Sequence, residues 1–136
     1  MAAANIIRNF MTSKTDTSLM EGVLLFANAS TLKPVNYILN RIGNNCSLSI
    51  QPLMMIIGTQ TTIYSPSPFT FFNDTITQQI PLITSDTSGT QTNTIGIISI
   101  THSTITIYAS LQGDSFNIDP VNNQGFQNSI MINFSV

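Results

Sequence analysis

The sequence predicts an all-β protein, an antiparallel β-sandwich over residues 22–136 preceded by an N-terminal arm over residues 1–21. Three observations predict it. Short apolar runs with period-two alternation recur from Val23 onward, separated by clusters of turn-forming residues. Hydrophobic residues make up 42% of the 136 positions, enough to fill one core. Charged residues make up only 7%, against roughly 25% in ordinary soluble proteins, and Ser, Thr, Asn and Gln take their place. Disordered chains are poor in β-branched and aromatic residues and rich in net charge; here Ile and Thr abound and the formal net charge is −2.

The first segment, "MAAANIIRNFMTSKTDTSLMEG", holds a short helical pattern around Ala2 to Met11 and then a Thr/Ser/Asp stretch of linker type. Termini of this composition are loose unless tied down. The arm is therefore expected to order against a partner, with Ile6, Ile7, Phe10 and Met11 giving apolar contact and Arg8 and Lys14 meeting acidic surface. From Val23 the turn signals are "GNN" at Gly43, "SPSP" at Ser65 and "SDTSGTQTN" at Ser85, a spacing that suits a sandwich or barrel. Alternation is clear in "SLSIQ", with Leu48 and Ile50 inward, and in "ITQQIPLI". On the final strand Ile130, Ile132, Phe134 and Val136 share one face.

The stretch "GIISITHSTITIYASL" reads as a hairpin with His102 and Ser103 at its turn. Thr101 then pairs with Thr104, Ile100 with Ile105 and Ile98 with Ile107, so the isoleucines of both strands fall on one face. A one-residue slip would reverse every side chain. His-Ser lacks the Asn-Gly chemistry of two-residue turns, and a three- or four-residue loop is the alternative. Either way His102 sits at a tip.

The same composition excludes several function classes. Arg8, Lys14, Lys33 and Arg41 are the four basic residues, too few for a phosphate-tracking stripe, so no nucleic-acid partner is expected. "GVLLFANA" and "PLMMIIG" are too short to span a bilayer, and no membrane insertion is expected. With no secretory signal and a lone Cys46, synthesis in the cytosol is expected. Nucleophilic catalysis needs a base beside a nucleophile and a third group to orient it. The chain has one His, one Cys and one Glu, and the spacing of Cys46 and His102 does not support a pair. No enzyme activity is expected. Zinc-type ligand sets are absent, and "GDSFNID", with Asp114, Asn117 and Asp119, lacks the ligand density of a calcium loop and reads as a solvated turn. No cofactor or metal is expected.

The segment from Ile95 to Val136 resembles the C-terminal end of small jelly-roll domains in phage tail fibres and in capsid-associated proteins of large DNA viruses. Those domains are similar in architecture to tumour necrosis factor-like trimers. Gly96, Ile98, Ile100, Ile105, Ile107 and Tyr108 carry the hairpin of the resemblance; Phe116, Gly125, Phe126 and the strand from Ile130 to Val136 carry the rest. The resemblance implies a jelly roll and a virion structural protein: a minor capsid, decoration or fibre-head component, with a role in attachment to a host receptor or glycan. The arm would dock to other capsid or fibre proteins. The absence of Lys and Arg from residue 42 to residue 136 points the same way, since it leaves no trypsin-type cleavage site on a particle exposed outside cells. A cellular lectin-like binding module is the alternative.

A domain with so little charge is expected to hide its outward apolar residues, most simply in a homo-oligomer such as a trimer; cover by an outer loop or by the N-terminal segment within one subunit is the alternative. In the hairpin register Ile97 and Tyr108 form an outward pair with Ile95 beside them, and Met131 points away from Ile130 and Ile132 on the last strand. Contiguous apolar patches of this kind mark contact sites. These four residues are the expected subunit interface.

Overall fold

Val23 to Phe26 form the middle of the first strand, where a run without alternation places apolar side chains on both faces. In the computed structural model, which describes residues 17–28, 31–55, 62–64, 69 and 74–135, β1 (Thr17–Asn28) turns back as β2 (Thr31–Ile42) in an antiparallel hairpin with arms of twelve residues. A turn at Gly43, in the left-handed region at φ 61°, leads into β3 (Asn45–Ile50). There follow β4 (Leu53–Met55), β5 (Thr62–Tyr64), β6 (Ile76–Ser85), β7 (Gln91–Ile100), β8 (Ile105–Tyr108), β9 (Gln124–Phe126) and β10 (Ile130–Ser135). No helix occurs among the described residues, and the helical pattern at Ala2 to Met11 lies outside them. No helix of the described residues is long and apolar enough to cross a membrane.

The strands pair in the order β10-β3-β2-β1-β5-β8-β7-β6-β9-β4, antiparallel throughout. Two meanders, β1-β2-β3 and β6-β7-β8, form the two layers of a sandwich-like arrangement. Among the described residues, β5 links them through a single pair on β1, Ala27↔Ile63. Across the gap Gln78 Nε2 on β6 donates to the Met131 carbonyl on β10 at 2.8 Å. Because β1 begins at Thr17, the expected boundary between arm and sandwich at residues 21 and 22 falls inside this strand.

Alternation places the core. Leu24 and Phe26 on β1, Leu39 on β2, and Leu48 and Ile50 on β3 meet Ile80, Leu82, Ile98, Ile100, Ile105 and Ile107 from the other layer in one buried cluster. Each such side chain contributes about 1.5–3 kcal/mol relative to exposure. Gly22 takes an inward position on β1 because the Tyr37 ring occupies the space its side chain would need: a Cβ there would lie 2.8 Å from Tyr37 Oη. The Tyr37 ring in turn meets Phe69 edge-on, with centroids 5.3 Å apart.

The hairpin of β7 and β8 has the expected register, with Ile100↔Ile105, Ile98↔Ile107 and Ile97↔Tyr108. Thr101 N donates to the Thr104 carbonyl at 2.9 Å, closing a two-residue turn at His102 and Ser103. Thr101 Oγ1 accepts from the Ser103 and Thr104 amides, the local bonds that replace Asn-Gly chemistry at this turn. Beyond Tyr108 the chain passes so close over Gly96 that a Cβ there would strike the Tyr108 carbonyl oxygen and Leu82 Cδ1. Gly96→Ala should therefore lower stability by about 1–3 kcal/mol, through a backbone shift in a packed core. Urea unfolding measures it, and an unchanged midpoint would contradict the packing described.

Candidate interaction surface

The inward positions decide which side chains face out. On β1 the odd-numbered residues point away from the core and on β2 the even-numbered ones do, since Leu24, Phe26, Val35, Tyr37 and Leu39 are buried. Cross-strand pairs then set outward rows: Leu19 beside Asn40, Glu21 beside Ile38, Val23 beside Asn36, Leu25 beside Pro34. Two rows continue over β3 to β10, one as Asn40, Ser47 and Asn133 and the other as Ile38, Ser49 and Met131. This outer face is divided. Its β1–β2 part is apolar, with Val23 49% and Leu25 42% exposed. Its far corner is polar: Asn40, Asn45, Ser47, Asn133 and Ser135, with Ile42 and Phe134, line a shallow hollow of about 380 Å³. There Ser47 Oγ donates to Asn133 Oδ1 at 2.6 Å.

The four residues expected at a subunit interface fall on two layers. Ile97 and Tyr108 are paired and half-buried, with the exposed Ile95 one outward position along β7. Met131 is exposed on β10, across Ser49 from Ile38, and so belongs to the outer face of the β1–β2 layer. Ile6, Ile7, Arg8, Phe10, Met11 and Lys14 lie outside the described residues. The apolar outer face of β1 and β2 was not anticipated from sequence, although the unalternating run from Val23 to Phe26 is its signal.

Residues with chemical potential are dispersed. His102 is exposed at its turn, whereas Cys46 is buried on β3 opposite Arg41 and Phe134. Burial pushes the Cys46 thiol up in pKa, and the Arg41 charge opposes this more weakly, so the thiol stays protonated at neutral pH. Arg41 itself is buried and donates from Nε to the Gly43 carbonyl at 2.6 Å.

The "GDSFNID" segment corrects the reading of a solvated turn. Asp114 is exposed and accepts from Ser110 Oγ at 2.7 Å, but Asp119 is buried. Asp119 accepts from Ser85 Oγ at 2.6 Å, from the Asn122 and Val121 amides at 2.9 and 3.0 Å, and from Asn122 Nδ2 at 3.1 Å. Gln124 accepts from the Ser85 amide and donates to the Asn117 carbonyl, while Asn117 Nδ2 donates to the Ser85 carbonyl. Two side chains of the loop, Asn117 and Asp119, and the first residue of β9, Gln124, thus clasp the end of β6. The clasp holds Ile118 and Val121 out in solvent, 61% and 78% exposed.

No protein-family model and no curated protein matches the chain. Among solved structures the chain is similar to the reovirus attachment protein sigma1, determined in complex with α-2,3-sialyllactose. The likeness has a TM-score of 0.56 at 11% sequence identity and covers 88% of this chain. It is a likeness of fold. The chain spans 65% of the length of that protein's chain, and both are β-rich.

The Ser85 hydroxyl, then the Asn122 and Val121 amides, hold the Asp119 carboxyl well below the usual carboxylate range. A depressed folded-state pKa contributes stability that is present above the unfolded value, about 4, and is lost as pH falls through the folded value. Thermal melts should show the native protein losing stability below about pH 4. Asp119→Asn should melt lower at neutral pH, because an amide offers one acceptor oxygen where four donors converge, and should show a smaller acid-induced fall. Equal acid sensitivity of the two proteins would contradict the role given to Asp119.

Proposed function

We propose that this chain is a structural component of a virus particle, a minor capsid, decoration or fibre-head protein that contributes to attachment, and not an enzyme. The observation that carries this reading is the fold likeness to a viral attachment protein over 88% of the chain. Two features of the molecule support it. Its outer faces carry apolar residues suited to assembly, and its clasped loop presents Ile118 and Val121 from a fixed backbone, as a contact surface requires. In this reading the protein is a homotrimer with Ile95, Ile97, Tyr108 and Met131 at subunit contacts. Residues 1–16, ahead of β1, form the arm, whose Ile6, Ile7, Arg8, Phe10, Met11 and Lys14 bind other particle proteins.

The reovirus protein was determined with a sialylated sugar, and here the hollow beside Asn40, Ser47 and Asn133 offers uncharged hydrogen-bonding groups in a volume within the range of small-ligand sites. This hollow also favours the second reading, a cellular lectin-like module. Incorporation into particles separates the two. Deleting residues 1–14 leaves β1 whole, so the truncated protein should keep its β-type circular dichroism yet be missing from purified particles that contain the full chain. Normal incorporation of the truncated protein would overturn the arm, and absence of the full chain from particles would overturn the virion reading.

A further inference from the structure

We propose that the polar corner of the outer face, where β2, β3 and β10 lie side by side, binds an uncharged saccharide: a sugar without sialic acid, uronic acid or sulfate. The inference deepens the attachment reading above and rests on it, by naming the class of glycan that this hollow accepts.

The corner is a small grid fixed by the register. Asn40 on β2, Ser47 on β3 and Asn133 on β10 form one outward row, and Ile42, Asn45 and Ser135 form the next. At about 4.8 Å between strands and roughly 3.4 Å per residue, these positions cover about 10 Å by 7 Å, the footprint of a disaccharide. They line a hollow of about 380 Å³. A sugar presents hydroxyls at its edges and C–H groups on its ring faces, so its site needs two kinds of wall. The amides and hydroxyls of the grid meet the first, and Ile42, 67% exposed at the end of β2, meets the second.

One hydrogen bond sets the polarity of the wall. Ser47 Oγ donates to Asn133 Oδ1 at 2.6 Å, which leaves the lone pairs of Ser47 and both hydrogens of Asn133 Nδ2 for a ligand. The amides of Asn40 and Asn45 are exposed on either side of Ser47, and no described residue bonds to their side chains. Neighbouring hydroxyls of a sugar can donate to one such group and accept from the next, since each hydroxyl is both donor and acceptor.

Charge decides the class of sugar. Among the described residues no cation faces the hollow. Arg41, between Asn40 and Ile42 in sequence, turns to the opposite face, where it is buried and donates from Nε to the Gly43 carbonyl. Lys33 lies near the far end of β2, roughly 24 Å from Asn40 at 3.4 Å per residue. Residues 42–136 contain no Lys or Arg. A carboxylate or sulfate brought here would lose water without gaining a charge-assisted partner, whereas a neutral sugar exchanges one set of uncharged hydrogen bonds for another.

The experiment is glycan binding by the full chain, on an array that sets neutral oligosaccharides beside their sialylated counterparts, followed by titration of the strongest ligand against variants. The wild type should bind neutral members, and a sialic acid cap should not strengthen binding. Ser47→Ala and Asn133→Ala should each weaken binding about tenfold, the effect of losing one hydrogen bond of about 1.4 kcal/mol, with unchanged circular dichroism. Asn40→Ala, which removes an exposed amide bonded to no described residue, should weaken it likewise and covers the case in which the other two variants disturb the β3–β10 pairing. His102→Ala, at a turn of the other layer, should bind as the wild type does. Preference for sialylated sugars, binding that no corner variant alters, a loss that His102→Ala shares, or no glycan binding at all overturns the inference. The virion reading survives each of these results and falls only if the full chain is absent from particles.

Discussion

The inward burial of alternate side chains from two facing meanders is the constraint on which the rest of this molecule depends. Leu24, Phe26 and Leu39 on one layer and Ile98, Ile100 and Ile105 on the other are almost without solvent contact. Because the side-chain period of a strand is two, filling the core also decides every outward position. The exposed residues on β1 are therefore not free to rearrange. Moving Val23 or Leu25 inward would expel Leu24 and Phe26, exchanging a filled core for an exposed one. The outward apolar residues are a consequence of the register.

The shortage of charge sharpens this consequence. Ordinary domains keep outer strand faces in solution with Lys, Glu and Arg, whereas here Asn and Ser serve on the polar corner and Glu21 is the one charged residue among the outward positions of β1 and β2. Polar groups, one of them charged, also hold the molecule together. Asn117, Asp119 and Gln124 bind the backbone and side chain of Ser85, so a long loop is held to the end of β6 by hydrogen bonds where it contributes few apolar side chains. A buried carboxylate is tolerable because every donor around it is aimed at its charged form. The outcome is a loop that buries Phe116, is held by hydrogen bonds to the end of β6, and leaves Ile118 and Val121 in solvent.

Much of this was legible in the residues, and the exceptions have physical causes. The turn length of the hairpin at His102 was not legible, since His-Ser lacks Asn-Gly chemistry, whereas its strand register was, because isoleucine on both strands favours one pairing that keeps a single apolar face. The strands at Leu48, Ile80 and Ile132 were legible for the same reason. The β1–β2 face was not, because the continuous run from Val23 to Phe26 carries no period, and an unalternating run is equally compatible with a strand covered on both sides and with a buried helix turn. Asp119 was misread since its partners, Ser85 and Asn122, are distant or unremarkable in sequence, and only the folded loop brings them to one carboxylate. Met131 was rightly placed outward, but its layer depended on β10 pairing with β3, a long-range choice that local pattern does not encode.

The central claim is that the register of β1 and β2 locks Leu24 and Phe26 inward and leaves Val23, Leu25 and Ile38 outward. Hydroxyl-radical footprinting of the full chain under dilute conditions tests it most directly. Val23, Leu25 and Ile38 should be labelled, with Leu24 and Phe26 protected. Equal labelling of Val23 and Leu24 would contradict the register.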